Sequence, residues 1–416
     1  MTTVTPWTSL RLPRFSVRAA EFARRALLAR LARIAGGELR LRYGSVEQRF
    51  GAPDPSGLSA HIEVVDSRFW LALALRGSVG AGEAYADGWW RSDNATDVVR
   101  LLLRNRNVLS KVDGGWSRLS KPFLQVFHAL RDNTRAGSKR NIAAHYDLSN
   151  DFFALFLDPS LTYSCGYYES EESSLEESQH AKLERLCRKL ELTPSDHLLE
   201  IGTGWGALAI HAAREYGCRV TTTTISEEQH SLAAERIRAA GLEDRITLLR
   251  QDYRDLEGRY DKLVSVEMIE AVGHRHLGTY LETCGRLLAP GGRFCLQAIT
   301  LSDQHYDEAR KRVDFVRRHI FPGSFIPSTT AILSSATESS ALRLRHLEDI
   351  GAHYARTLED WRANLHRNEA AMRELGLDDR FLRLWEFYFC YCSGGFAEGY
   401  LGDVQFVFER PMEWGS

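Results

Sequence analysis

The stretch His197-Leu198-Leu199-Glu200-Ile201-Gly202-Thr203-Gly204-Trp205-Gly206-Ala207 decides the fold of this chain. An apolar run closes on an acid, three glycines alternate with other residues, and Ala207-Leu208-Ala209-Ile210 continues with helical character. That order is a strand, a tight turn and a helix N-terminus. The glycines let backbone come close to a bound molecule, and the helix start offers it free N–H groups.

Downstream of this loop, apolar runs and helical patterns alternate, which predicts a doubly wound sheet. Strands are expected at 197–202, 218–225, 246–252, 260–268 and 292–300, with helices near 205–216, 227–240 and 274–288. Residues 174–191 form a helix ahead of the loop. The stretch from Asp303 to about Thr337 interrupts the rhythm as an insertion. A strand at 343–350, helices at 355–373 and 379–393, and a last strand at 403–410 complete the domain.

Two cofactor classes fit the loop alone. Gly202, Gly204 and Ala207 satisfy the dinucleotide pattern G-x-G-x-x-G/A, whereas Glu200 followed by G-x-G-x-G resembles the S-adenosylmethionine loop of methyltransferases. A nicotinamide dinucleotide needs an acid at the end of the second strand. That end is Thr221-Thr222-Thr223-Thr224-Ile225-Ser226, with no carboxylate before Glu227. The third strand ends in Gln251-Asp252-Tyr253, where an acid suits an adenine amine and an aromatic ring suits its face. The balance favours S-adenosylmethionine.

With 416 residues the chain has room for two domains, and its net charge of −2 gives no whole-molecule field for nucleic acid. Residues 1–50 nevertheless hold ten arginines against Glu21, Glu38 and Glu47. Arg14 to Ile34 has amphipathic spacing, with Ala20, Ala23, Leu27, Leu31 and Ile34 on one side and Arg18, Arg25, Arg30 and Arg33 largely on the other. Arg24 and Phe22 break the pattern. A helix on an anionic lipid surface, a helix packed on its own domain and a mitochondrial presequence all have this character. Leu39–Phe50 and Ala60–Val65 alternate like strands around a turn at 51–57, and Phe69–Leu75 is helical. Residues 1–130 thus form a smaller mixed α/β unit for binding or positioning, and 131–140 is the linker. Seven cysteines without a C-x-x-C pair suggest neither a disulfide framework nor a zinc site, and a reducing compartment is expected. No run reaches the ~18 apolar residues of a membrane span.

From Asn141 to Pro411 the chain resembles the cyclopropane-fatty-acid synthases and their mycolic-acid-modifying relatives. The resemblance rests on HYDLSNDFFALFLDPSLTYSCGYY (145–168), LLEIGTGWG (198–206), TISEEQ (224–229), QDYRDLEGRYDKLVSVEMIEAVG (251–273), FPGSFIPS (321–328) and CSGGFAEGYLGDVQF (392–406). Residues 37–130 resemble, less specifically, the N-terminal domain of the longer bacterial members. The resemblance implies an α/β fold, a Rossmann-like class I methyltransferase sheet with helical lid insertions. It also implies methyl transfer from S-adenosylmethionine to the cis double bond of a phospholipid acyl chain, through a carbocation, to give a cyclopropane fatty acid. Tyr163, Ser164, Glu200, Gly202, Gly204, Trp205 and Gly206 would contact the cofactor. Thr224, Ile225 and Gln229 would line its ribose, and Asp252 and Tyr253 its adenine. A bicarbonate ion would act as general base, held by Cys165, Glu270, Tyr388 and the backbone of Ile299. The fifth position of that set is histidine in familiar synthases and is Gln297 here. A glutamine amide can donate to an anion but cannot take up a proton.

Where the base sits selects the product: proton loss from the transferred methyl closes the ring, and a different loss leaves a methylene branch. A reductase partner would then make a methyl branch. The wording Val266-Glu267-Met268-Ile269-Glu270-Ala271-Val272-Gly273, with Gln297, is closer to the branched-chain-forming relatives. Phe315, Ile320, Phe321, Phe325 and Ile326 of the insertion suit an acyl-chain groove. The family implies a cytoplasmic protein held peripherally at the inner membrane face, and it allows a homodimer. Two other readings stand beside this one: a methyltransferase acting on a small-molecule amine, and a non-catalytic lipid- or cofactor-binding relative.

Overall fold

The computed structural model describes residues 17–109 and 149–412. The expected linker at 131–140, the end of the first domain near 130 and the opening His145 of the first motif lie outside the described residues.

The N-terminal unit is built on a four-stranded sheet of order β2-β1-β3-β4. These strands are β1 (Gly37–Tyr43), β2 (Val46–Ala52), β3 (Ser59–Val64) and β4 (Trp90–Arg91). The run expected to be one strand over 39–50 is therefore a hairpin, turning at Gly44-Ser45 with Tyr43 opposite Val46. Alternation continues through a two-residue turn, so the pattern alone does not reveal it. Helix Arg68–Ala86 is longer than the expected 69–75, because the chain passes Gly77 at φ +52 and resumes helical geometry beyond it.

Helix Val17–Leu31 turns its apolar side inward: Ala23 and Leu27 are buried, as is Ile34 beyond it. This favours packing on its own domain. Phe22 is 60% exposed, and Arg24 pairs with Glu21 at 2.7 Å.

The second sheet has seven strands: β5 (His197–Ile201), β6 (Arg219–Thr223), β7 (Ile246–Leu249), β8 (Tyr260–Val266), β9 (Leu288–Leu301), β10 (Arg343–Asp349) and β11 (Leu401–Glu409). Their order is β10-β11-β9-β8-β5-β6-β7. From β9 to β7 neighbours are parallel, and β11 is antiparallel to both β9 and β10. Leu198, Leu199 and Ile201 are buried, as a central parallel strand covered on both faces requires. The expected Rossmann-like sheet is present. Strand order reverses at β5, with β6 on one side and β8 on the other, and open α/β sheets bind ligands beyond the strand ends at such a point.

Helix boundaries follow their caps. Ser174 and Glu177 form a reciprocal capping box at helix Leu175–Leu190, and Ser226 and Asp378 cap helices Glu227–Ala239 and Asp379–Ala397. The insertion carries three short helices, Asp303–Ala309, Phe315–His319 and Thr329–Ser339. The expected helix at 355–373 is two, Gly351–Arg367 and Glu369–Glu374, broken at Asn368, whose side chain bonds Leu155 O at 2.6 Å.

One apolar cluster joins the two parts of the molecule. It runs from Leu39 and Ile62 through Phe387 and Trp385 to Phe152 and Phe156. Arg100 and Arg104 of the N-terminal unit both pair with Glu398 at the end of helix Asp379–Ala397. The N-terminal unit thus braces the helix that carries Tyr388.

Candidate active site

The glycine loop leaves β5 with Gly202 at φ +103, Gly204 at φ +53 and Gly206 at φ +88, a backbone region costly to any residue with a Cβ. A Cβ on Gly204 would stand in open space, and one on Gly202 would meet only Met268, at 3.3 Å. Both are half-buried, whereas Gly206 is closed off and leads into helix Ala207–Tyr216. The loop is therefore a cradle open on the side of the first two glycines.

Its foundation is polar. Glu200 is buried and accepts the Thr222 hydroxyl at 2.6 Å; Thr203 and Thr222 hydroxyls are 2.6 Å apart. Burial pushes the Glu200 carboxyl up to about 8. Glu200 thus ties β5 to β6 beneath the loop. Trp205 points away too: its indole donates to Asn150 at 2.8 Å and its ring lies against Phe153. Thr224 bonds Gln229 at 3.0 Å, and Ile225 is half-buried beside them. At the end of β7, Asp252 is clamped by Arg254 at 2.6 and 2.8 Å, and Tyr253 meets Tyr280 edge-on.

On the other side of β5 stands a cluster of acids. Glu267, just beyond β8, accepts the Cys165 backbone N–H and the Gln297 amide on Oε1, both at 2.9 Å. Its Oε2 accepts the Tyr354 hydroxyl at 2.6 Å. The second Gln297 amide hydrogen goes to Asp403 Oδ2 at 2.8 Å. The polarity of Gln297 is set from behind: Lys189 can only donate, so Gln405 offers it oxygen and turns its own NH2 to Gln297 Oε1 at 3.0 Å. Glu270 accepts Ile299 N–H on Oε1 at 2.6 Å, while its Oε2 has no hydrogen-bond partner among the described residues.

Burial raises all three carboxyls. Glu270 reaches about 8, with repulsion from Glu267 adding to burial. Asp403 rises well above the carboxylate range through burial and repulsion from Glu267 and Glu270. Glu267 is also raised by burial, but Tyr354, the Cys165 amide, Lys182 and Gln297 all oppose the shift. Hydrogen bonds to the charged form thus favour ionisation at Glu267 over Asp403, whose carboxyl burial and like charge push up. Lys182 is buried in helix Leu175–Leu190 and donates to Ser164 Oγ at 2.8 Å; burial pulls its own ionisation down, and the nearby Glu267 carboxyl opposes that pull. Glu267 holds this place at φ +48, a left-handed conformation that costs a residue with a side chain about 1–2 kcal/mol.

The remaining wall is aromatic. Tyr163 donates to Tyr388 Oη at 3.2 Å and stacks on Phe321, whose ring also meets Tyr388 edge-on. Phe321 is half-buried here. Phe315 and Phe325 are buried in packing against Phe387 and against His274 and Tyr306 respectively, and Ile320 is buried as well. Of the expected acyl groove, Phe321 reaches this wall.

The structure brings Cys165, Glu270, Gln297 and Ile299 together, and it places two groups differently from the reading above. Cys165 contributes its backbone N–H, since its thiol is buried, raised well above its usual range and turned to Gly166 O and Ile350 O. The hydroxyl that reaches the acids is that of Tyr354, while Tyr388 pairs with Tyr163. The donors expected to hold bicarbonate are engaged here by side chains: Cys165 N–H and the Gln297 amide by Glu267, and Ile299 N–H by Glu270. Sequence reasoning missed Tyr354, Asp403 and Lys182, and it passed over Glu267 inside a quoted motif. An acid three residues before Glu270, at the end of a core strand, was the available signal.

Residues 133–406 match the family model described as mycolic acid cyclopropane synthetase. The tuberculostearic acid methyltransferase UfaA1 of Mycobacterium tuberculosis is 38% identical over 371 residues, 86% of this chain and 85% of that protein. The cyclopropane-fatty-acyl-phospholipid synthase of Escherichia coli K12 is 35% identical over 362 residues, 86% of this chain and 89% of that protein. Among solved structures, the mycolic acid cyclopropane synthase CmaA1 complexed with SAH and CTAB is 31% identical, with a TM-score of 0.61, covering 65% of this chain and 97% of that one.

Proposed function

The chain belongs to the mycolic acid cyclopropane synthetase family of S-adenosylmethionine-dependent methyltransferases, and on that premise we propose that it methylates the cis double bond of a phospholipid acyl chain. The observation that carries this reading is the pairing of an open glycine cradle with an anionic and aromatic site across β5. S-adenosylmethionine supplies a sulfonium methyl, and the glycines at 202 and 204 leave the room such a group needs. Gly202 and Gly204 would hold it, with Thr224, Ile225 and Gln229 at the ribose, Asp252 and Tyr253 at the adenine, and Tyr163 and Ser164 closing from the other side.

An alkene is a weak nucleophile, and its attack on a methyl leaves a carbocation. The chain answers with groups that favour positive charge without offering a nucleophilic water. Glu267 places a carboxylate in a low-dielectric site, where its charge acts strongly. The rings of Tyr163, Phe321 and Tyr388 present π faces suited to a cation. Cys165 N–H, Gln297 and Tyr354 keep Glu267 in place and tame its basicity until the cation forms. The aromatic wall, with Tyr388 buried and Tyr163 and Phe321 half-buried, shields the site from water that would otherwise capture the cation as an alcohol.

Ring closure to a cyclopropane is the product proposed first, in keeping with the Escherichia coli relative. The second reading, a methylene- or methyl-branched chain, is favoured by the 38% identity to a tuberculostearic acid methyltransferase across most of both chains. A methyl-branched product would require a reductase partner. Expression in a cell rich in unsaturated phospholipid, followed by fatty-acid analysis, tests the shared step. Acyl chains should gain one methylene unit; unchanged chains would count against the reading. A product that resists mild hydrogenation is the ring, and one that takes up hydrogen is the methylene branch.

Among the described residues no helix is long and apolar enough to cross a membrane. Peripheral association at the inner membrane face is part of the proposal, supported by exposed Phe22 beside the basic residues of helix Val17–Leu31.

A further inference from the structure

A dissolved anion serving as base would need donors, and in this chain they are committed. Cys165 N–H and the Gln297 amide both end on Glu267 Oε1, the Tyr354 hydroxyl ends on Oε2, and Ile299 N–H ends on Glu270. An added bicarbonate would find these hydrogens used and would face a like charge at close range. The residues do not fit that group, and no step is routed through it.

We infer that Glu267 is itself the base of the reaction, its carboxylate seated in the cradle of Cys165 N–H, Gln297 and Tyr354 that would otherwise hold an anion from solution. The inference rests on the alkene-methylation reading above. Three observations carry it. Donors from three separate elements, on chain positions 165, 297 and 354, converge on one carboxylate. That carboxylate stands on a backbone at φ +48, a conformation that persists only where the surroundings enforce it. Glu267 also stays half-buried, next to Met268 and the open Gly202, whereas Asp403 and Glu270 are closed off.

The step balances. The donor's C–S bond breaks with its electron pair going to sulfur, and the alkene π pair forms the new C–C bond. Positive charge is left on the second alkene carbon. One C–H bond then breaks: its electrons complete the new ring bond or double bond, and the proton goes to Glu267 Oε. Glu267 ends neutral and gives the proton to water when product leaves. Lys182, Asp403, Glu270, Cys165 and Tyr354 are the titratable groups facing it.

The test uses the full chain, S-adenosylmethionine and vesicles of a cis-unsaturated phosphatidylglycerol. Wild-type turnover should be the same in carbon-dioxide-stripped buffer and in buffer with added bicarbonate. Glu267→Gln should lower turnover at least 100-fold while S-adenosylmethionine binding, measured by calorimetry, stays within about twofold. Glu267→Gly, which suits the backbone at φ +48 and empties the cradle, should be inactive in stripped buffer and regain activity with added bicarbonate or formate. Wild-type turnover that collapses in stripped buffer would overturn the inference without any variant. So would Glu267→Gln turnover equal to wild type. A wild type that forms no product from the vesicles would remove the substrate reading and this inference together, which separates the two failures.

Discussion

The amide of Gln297 donates to Glu267 Oε1 at 2.9 Å, although the two residues come from adjacent strands whose backbones are also bonded, Glu267 N–H to Gln297 O at 2.9 Å. The same amide serves Asp403, and its oxygen is taken by Gln405. Gln297→Met would strip a donor from two carboxyls and leave the Gln405 amide without an acceptor. The expected cost is about 2–4 kcal/mol in denaturant unfolding. The acidic limb of the activity profile should also move to higher pH, because Glu267 loses a hydrogen bond that favours its charged form.

Tyr354→Phe isolates the other side of Glu267. The ring would keep its stacking on Phe396, with centroids 4.4 Å apart, so folding should survive. Loss of a hydrogen bond to a charged group is worth about 1.5–3 kcal/mol, which corresponds to about one to two pH units. The midpoint of the acidic limb of turnover should rise by about that amount. An unmoved profile would show that the Tyr354 hydroxyl does not tune Glu267.

Glu200 gives a stability prediction with a definite sign. Its carboxyl is raised to about 8 in the folded chain, from 4.5. Between those values the folded state holds a proton that the unfolded state releases, so stability falls as pH rises through the window. Glu200→Gln removes this term while still offering Thr222 an acceptor. Compared by denaturant midpoints, the variant should gain on the wild type from pH 5 to pH 8. A constant difference would contradict the buried, proton-holding Glu200.

Gly204→Ala separates cofactor binding from folding. The Cβ meets no protein atom within 4 Å, and φ +53 lies in the left-handed region that alanine tolerates at a cost of about 1–2 kcal/mol. The added methyl would occupy the open side of the cradle. S-adenosylmethionine affinity should fall at least tenfold while the chain stays folded, as calorimetry and circular dichroism would show.

The basic helix offers a paired test. Leu27 is buried, and Leu27→Ala should destabilise the chain by about 2–5 kcal/mol. Phe22→Ser should weaken sedimentation with anionic vesicles. Equal sedimentation of Phe22→Ser and wild type would remove the lipid role from this face.

Much of the sheet was legible because its signals are local. The run 197–206 announces itself within a few residues, and the strands expected at 218–225 and 260–268 are found as Arg219–Thr223 and Tyr260–Val266. The hairpin at 43–46 was hidden because alternation survives a short turn. The acid cluster was half legible. Glu270 and Gln297 stood out in their motifs, but Tyr354 and Asp403 come from distant elements, helix Gly351–Arg367 and β11. Lys182 lies in helix Leu175–Leu190, where nothing local to the sequence marks it as buried. No period in the sequence reports that Glu267 takes a left-handed turn into the donors of another strand; long-range contacts and backbone strain do.

The account is tested most directly by incubating the purified chain with S-adenosylmethionine and vesicles of cis-unsaturated phospholipid, then weighing the released fatty acids. The predicted result is a gain of one methylene unit at the former double bond, matched mole for mole by S-adenosylhomocysteine. Vesicles of saturated phospholipid should give neither. Unchanged unsaturated chains, with the cofactor bound and the protein folded, would contradict the account.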